Sequence, residues 1–235
     1  MADQDLQDKL NGLRPTPADY LPIARSIQQG AYPGLRPLKL AMLASFTAQP
    51  LQPYIVVEAA KHGLACDVYL GPFNQIETQA LDPNSDLYQS QPEVLVLALR
   101  LEEISPALYY QVTDKDELQT HLDTIRGRYT DLIAGIRSLT DATVLVWNFP
   151  DPVYPASGIG ERSLKCTQLD VIHDINRVLA GLCSTFPDVH VFDVHRVAGE
   201  VGLARWSDAK LLHTGRIPHG AEAQLQIGRA LSRYL

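Results

Sequence analysis

Cysteine is scarce in this 235-residue chain: three residues, Cys66, Cys166 and Cys183, with no CxxC spacing. An odd, scattered set excludes a disulfide framework and a cysteine-built zinc site. Neither a metal nor any other cofactor is expected. Positive charge is also in short supply, with 20 Lys and Arg against 27 Asp and Glu and a net charge of −7. That balance argues against nucleic acid and against anionic membrane surfaces as partners. No apolar run approaches the length needed to span a bilayer. The opening "MADQDLQDKLNG" has no basic region followed by an apolar core, so it does not read as a signal peptide. A soluble, cytoplasmic protein with reduced thiols is expected. The chain shows no repeat, low-complexity tract or linker. No glycine-rich phosphate loop follows the first strand, which leaves a nucleotide- or flavin-binding reading without support.

What is present is globular. Hydrophobic residues make up 46% and charged residues 20%, enough for one domain with a full core. Residues 1–37 read as a lead-in, a short helix followed by the extended "GAYPGLRP". From residue 38 onward, strand and helix alternate. "LKLAMLA" (38–44) is the near-continuous apolar run of a strand buried on both faces. "PLQPYIVVEAAKHG" then reads as a helix, with Pro50 in its first turn and Gly63 closing it. Further strands fall at 65–71, 94–100, 143–149 and 189–194. Leu118, Leu122, Ile125, Tyr129, Leu132, Ile136 and Leu139 form one apolar stripe on a long helix. Asp114 and Glu117 have capping-box spacing at its start. Helices over 164–186 and from Pro218 to the end complete the alternation. This order implies an α/β protein with a parallel sheet covered by helices on both faces. Irregular stretches fall at 72–92 and 150–163, the second able to serve as a lid or as a plain connection.

In such sheets, sites collect at the C-terminal ends of the strands. Those ends carry Ser45, Gly71, Arg100, Asn148 and the residues after Asp193. Ser45 is either a nucleophile or an ordinary turn residue, since a nucleophile needs a base and oxyanion donors beside it. Asp208 and His213 share the loop "WSDAKLLHTGRIPHG" and can form the orienting half of a triad, or can be a capping acid and an exposed imidazole. Asp170 and His173 make a DxxH, read as a surface pair because the helix is expected to carry them away from the strand ends. Phe73, Asn74 and Gln75 follow Gly71 at the expected pocket mouth.

The "SFT" after the first strand, with the closing Asp–loop–His before the last helix, resembles the SGNH (GDSL) hydrolases. That resemblance implies a three-layer α/β/α sandwich with a five-stranded parallel sheet in the order 2-1-3-4-5. "LASFTAQPL", "DVYLGPFNQIETQALDPNSDLY", "PEVLVLALRLEE", "NFPDP" and "RWSDAKLLHTGRIP" more specifically resemble the N-terminal SGNH-like domain of FkbH-like proteins, placing that domain at 38–235. Such proteins usually continue into a HAD-type domain with an Asp-x-Asp-x-Thr motif, implicated in moving a glyceryl unit onto an acyl carrier protein in polyketide and nonribosomal peptide pathways. No such motif occurs here. The resemblance implies Ser45 as nucleophile, His213 as base and Asp208 as orienting acid. It makes the Ser45 and Gly71 N–H groups oxyanion donors. Leu43 and Ala44 stand where the family has Gly and Asp, and Arg100 falls near the usual oxyanion asparagine. Four residues separate Asp208 from His213 where two are common, so His219 is a second candidate base. Arg100 is either a substitute donor, a phosphate or phosphopantetheine ligand, or a partner of Glu102 and Glu103. Asn148 either enters the pocket or starts a turn. Two functions follow. One is an esterase or acyltransferase acting on an acyl or glyceryl ester or thioester. The other is a non-catalytic recognition domain that docks an acyl carrier protein or a HAD-type partner, for which Arg100, Arg162, Arg205, Lys210 and Arg216 would be the basic candidates.

Overall fold

A computed structural model of the chain describes residues 2–110 and 115–235; the Asp114 half of the expected capping box lies outside the described residues. Five parallel strands form one sheet in the order β2-β1-β3-β4-β5. They are β1 (Arg36–Ala44), β2 (Leu64–Leu70), β3 (Val94–Ala98), β4 (Thr143–Trp147) and β5 (Val189–Phe192). The expected α/β sandwich and its strand order are therefore present.

Side-chain alternation divides each inner strand between two cores. On β1, Leu38, Leu40, Met42 and Ala44 enter one core, and Ala41 and Leu43 enter the other. Leu145 and Trp147 of β4 face the first, while Val144 and Val146 face the second. A strand with two buried faces has no polar side, which is why these segments read as unbroken apolar runs.

The first core is covered by α1 (Ala2–Asn11), α2 (Pro17–Gln28), α3 (Gln52–Ala60) and α13 (Ala221–Ser232). Where one short helix is expected before residue 38, two form. Thr16 caps α2 by accepting from the Asp19 N–H, and Leu6, Leu10, Tyr20, Ala24 and Ile27 are buried in the shared core. The second core lies under α8 (Lys115–Leu139) and α9 (Gln168–Cys183). The expected stripe of α8 is buried from Leu118 to Ile136, while Leu139 at its end is exposed. Between β2 and β3 run α4 (Ile76–Leu81) and α5 (Asp86–Gln89), and after β3 come α6 (Leu101–Ile104) and α7 (Pro106–Tyr110). Beyond β5 lie α10 (Val194–Val201), α11 (Leu203–Trp206) and α12 (Ala209–Gly215). No described helix is long and apolar enough to cross a membrane.

The order reverses between β1 and β3, and a parallel sheet opens its binding crevice at such a point. The segments that leave β1 and β3 there begin with Ser45 and with Leu99 and Arg100. The 150–163 connection is pinned. Buried Glu161 accepts from the Gln168 N–H at 2.5 Å, and Gln168 Oε1 accepts from the Ala156 N–H at 2.8 Å. These bonds tie the connection to the start of α9.

Candidate functional site

Ser45 directly follows β1 and is 2% exposed. Its N–H donates to the Ala98 carbonyl at 3.2 Å, continuing the β1–β3 ladder. Its Oγ accepts from the Arg100 N–H at 2.9 Å. The hydroxyl thus closes the gap where β1 and β3 diverge, and among the described residues no histidine is hydrogen-bonded to it. Gly71 likewise spends its N–H on the Met42 carbonyl, at 2.9 Å. A Cβ at Gly71 would lie 2.5 Å from Leu43 Cδ2, so this glycine makes room for β1's own leucine. Asn74 is exposed in a left-handed conformation at φ 54°, and its N–H donates to Ala44. Both expected oxyanion N–H donors are therefore engaged within the sheet.

The expected Asp208–His213 couple does not form. Asp208 caps α12, accepting from the Leu211 N–H at 2.9 Å, which is the ordinary work of an N-cap aspartate. His213 lies in the last turn of α12, exposed. Five residues of helix carry it about 7.5 Å along the axis and about 140° around it from the cap.

His219 is brought inward instead. It is 5% exposed, with its ring 4.6 Å from the Trp206 ring, 5.3 Å from Phe46 and 6.0 Å from Trp147, centroid to centroid. Neither ring nitrogen has a hydrogen-bond partner. Burial first, and then the positive Arg100, push its pKa down to about 3, with the Trp206 main chain pulling weakly the other way. The imidazole is therefore neutral throughout the physiological range.

A narrow cavity of about 60 Å³ opens beside it, lined by Arg100, Glu102, Trp147, Asn148, Asp151 and His219 among others. It has room for a few waters or the tip of a small acyl group. Ser45 is not in its lining. The Arg100 guanidinium lies against Glu102 at 2.7 Å and Glu103 at 3.5 Å, as one of the alternatives for it holds. Arg205 is paired with Glu222 at 3.0 Å, so two of the five basic candidates are already committed. Asn148 works as a clamp as well as a wall: its Nδ2 donates to Asp193 at 2.7 Å, and its Oδ1 accepts from the His195 N–H at 2.9 Å.

That clamp exposes a group the sequence reading missed. Asp151, just beyond β4, lies 3.3 Å from His173 Nε2 and 3.7 Å from His195 Nδ1. The expectation that the DxxH points away from the strand ends is wrong for its histidine. A crossover helix begins at the C-terminal edge of the strand it leaves, so the second turn of α9 still lies at that edge. Asp170 itself forms a capping box with Thr167. The legible signal was an acid just after β4, a histidine just after β5 and a histidine early in the intervening helix.

Sheet order, flanking helices and a serine at the switch point define the chain as a three-layer α/β domain with a five-stranded parallel sheet. The family model described as "FkbH, N-terminal domain" matches residues 39–227, and the chain belongs to that family. Among solved structures, it is similar to the N-terminal part of protein BF1531 from Bacteroides fragilis, which contains a phosphatase domain and was crystallised with Mg. Identity is 16% and the TM-score 0.70, over 88% of this chain and 55% of that one; the chain spans about half of that structure. It is also similar to the acetyl xylan esterase AlAXEase, at 12% identity and TM-score 0.52, over 84% of this chain and all of the other. At such identities these likenesses speak to the fold. No curated protein matches.

Proposed function

We propose that this chain is a recognition domain on an esterase-type frame. Its cavity receives the carbonyl or carboxyl end of a small acyl or glyceryl unit, presented by an acyl carrier protein or by a HAD-type partner. The observation that carries this reading is the state of Ser45. Its oxygen is held by the Arg100 N–H, and no base is bonded to it. A nucleophilic serine needs a general base within hydrogen-bond reach and free donors for the developing oxyanion. Here the Ser45 and Gly71 N–H groups are occupied, and Asp208 is a helix cap. A binding pocket needs neither. Arg100, whose five N–H donors are not all taken up by Glu102 and Glu103, joins neutral His219 and Asn148 in offering polar edges around an apolar floor of Trp147 and Trp206, the usual make-up of a small-ligand pocket.

A second reading keeps the esterase. Its support is that the buried His219 ring touches Phe46, the residue after Ser45.

The test is incubation with a fluorophosphonate serine probe followed by intact mass, beside Ser45→Ala and His219→Phe. No adduct at long incubation is expected, together with saturable binding of an acyl-loaded carrier protein that Arg100→Leu weakens by about tenfold, the worth of one charge-assisted hydrogen bond. A stoichiometric adduct lost in both variants establishes the esterase instead.

A further inference from the structure

Three side chains from three separate elements converge at the rim of the cavity. Asp151 comes from the connection after β4, His173 from the second turn of α9, and His195 from the start of α10. One ligand atom from each lies within 4.8 Å of the other two. Asp151 Oδ1 is 3.3 Å from His173 Nε2 and 3.7 Å from His195 Nδ1. Around a four-coordinate zinc with bonds of about 2.0–2.1 Å, ligand atoms stand about 3.3–3.5 Å apart. We infer that Asp151, His173 and His195 form a binding site for a single divalent transition-metal ion of the zinc class.

A second observation points the same way. Asp151 Oδ1 and His195 Nδ1 are shielded from water and neither has a hydrogen-bond partner. Buried polar atoms of this kind are uncommon and costly unless something completes them. A cation between them satisfies both atoms at once. His173 is half exposed, which leaves an entry path.

The scaffold holds the ligands from outside, as metal sites require. Asn176, one turn beyond His173 on α9, makes two bonds to Phe149, accepting from its N–H and donating to its carbonyl, both at 2.8 Å. That pair fixes the chain leading to Asp151 against the helix that carries His173. Asn148 accepts from the His195 N–H and donates to Asp193, and Asp193 caps α10 by accepting from the Arg196 N–H at 3.2 Å. The two asparagines thus set all three ligands in register.

Two imidazoles and one carboxylate favour zinc-class ions over magnesium or calcium, which prefer all-oxygen shells. Three protein ligands leave a fourth position open for water or an oxygen donor. Asp151 also lines the cavity, so the ion would border the pocket. The site does not depend on whether that pocket serves recognition or ester cleavage.

The full chain, stripped with chelator and dialysed, is titrated with Zn²⁺ against a chromophoric indicator, and with Co²⁺ followed in the visible. One equivalent of Zn²⁺ at micromolar affinity or tighter is expected, with a Co²⁺ spectrum of four-coordinate intensity and no competition from millimolar Mg²⁺. Asp151→Asn, His173→Ala and His195→Ala should each weaken Zn²⁺ binding at least tenfold and abolish the Co²⁺ spectrum, while His62→Ala and His121→Ala leave both unchanged. Circular dichroism of each variant establishes that it is folded, and the isosteric Asp151→Asn carries the test if a histidine variant is not. Absence of saturable Zn²⁺ binding, binding that survives all three substitutions, or displacement by Mg²⁺ overturns the assignment. The serine probe and the carrier titration read no metal, so their outcomes stay separable from this one.

Discussion

His219 shows how one buried residue links the pocket to the stability of the fold. Its ordinary pKa of 6.5 falls to about 3 in the folded chain, through burial first and Arg100 second. The unfolded chain therefore takes up a proton between those values and the folded chain does not. The stability owed to a neutral His219 is complete above pH 6.5 and drains as pH falls toward 3, at about 1.4 kcal/mol per pH unit. Both ring nitrogens are without partners, so an apolar ring in their place loses no hydrogen bond. His219→Phe should accordingly match the parent within about 1 kcal/mol at pH 7.5 and exceed it by about 2 kcal/mol at pH 5. Urea unfolding of both proteins at the two pH values decides it; parallel pH profiles would sink the idea. The residue scale is also where the sequence was least legible. Asp208 and His213 have the right types in the right order, but an aspartate before a helix caps it. Once capped, the helix carries His213 out to solvent. Whether an acid caps or orients depends on backbone conformation, which residue identity does not record.

At the scale of elements, one carboxylate joins three helices. Glu58 on α3 is 4% exposed. It accepts from Tyr20 Oη of α2, and it pairs with Lys61 at 2.7 Å and with Arg229 of α13 at 3.7 Å. Burial and this carboxylate together raise the Tyr20 pKa, so the phenol stays protonated and remains a donor. Removing the carboxylate leaves the buried Tyr20 hydroxyl without its acceptor, a loss of about 1–3 kcal/mol, while Lys61 and Arg229 keep access to water. Glu58→Ala should cost about 1–3 kcal/mol and Glu58→Gln, which keeps the Tyr20 bond, distinctly less. Equilibrium urea unfolding checks both, and equal costs for the two would mean that the negative charge alone, rather than packing or the Tyr20 bond, holds the joint. Little of this was visible beforehand. A glutamate within an apolar helix reads as one polar position, and its partners other than Lys61 lie 38 residues before and 171 after it. The strands were legible for the opposite reason. Leu40 to Ala44 and Val94 to Ala98 are buried on both faces, so every residue carries the signal.

The whole molecule joins its opening segment to the sheet more closely than the sequence implied. The family model begins at residue 39, and residues 1–37 read as a lead-in. Yet Leu6, Leu10, Tyr20, Ala24, Ile27 and Tyr32 are buried in the same core as β1 and α3. The missed signal was the period of Tyr20, Ala24 and Ile27, obscured by Pro22 inside the helix. Each large apolar side chain that is fully buried contributes about 1.5–3 kcal/mol, so stripping this layer removes roughly as much as a domain's entire net stability. It would also uncover α3, whose Ile55, Val56 and Val57 are fully buried beneath its neighbours. A chain starting at Gly34 should therefore be aggregation-prone, or melt at least 10 °C below the parent. Adding residues 1–33 back as a separate peptide should restore part of the loss, since the contacts are packing and need no chain continuity. Differential scanning calorimetry of both forms is the measurement. An unchanged melting temperature would show that the sheet and its other helices are sufficient, and that α1 and α2 merely rest on a core complete without them.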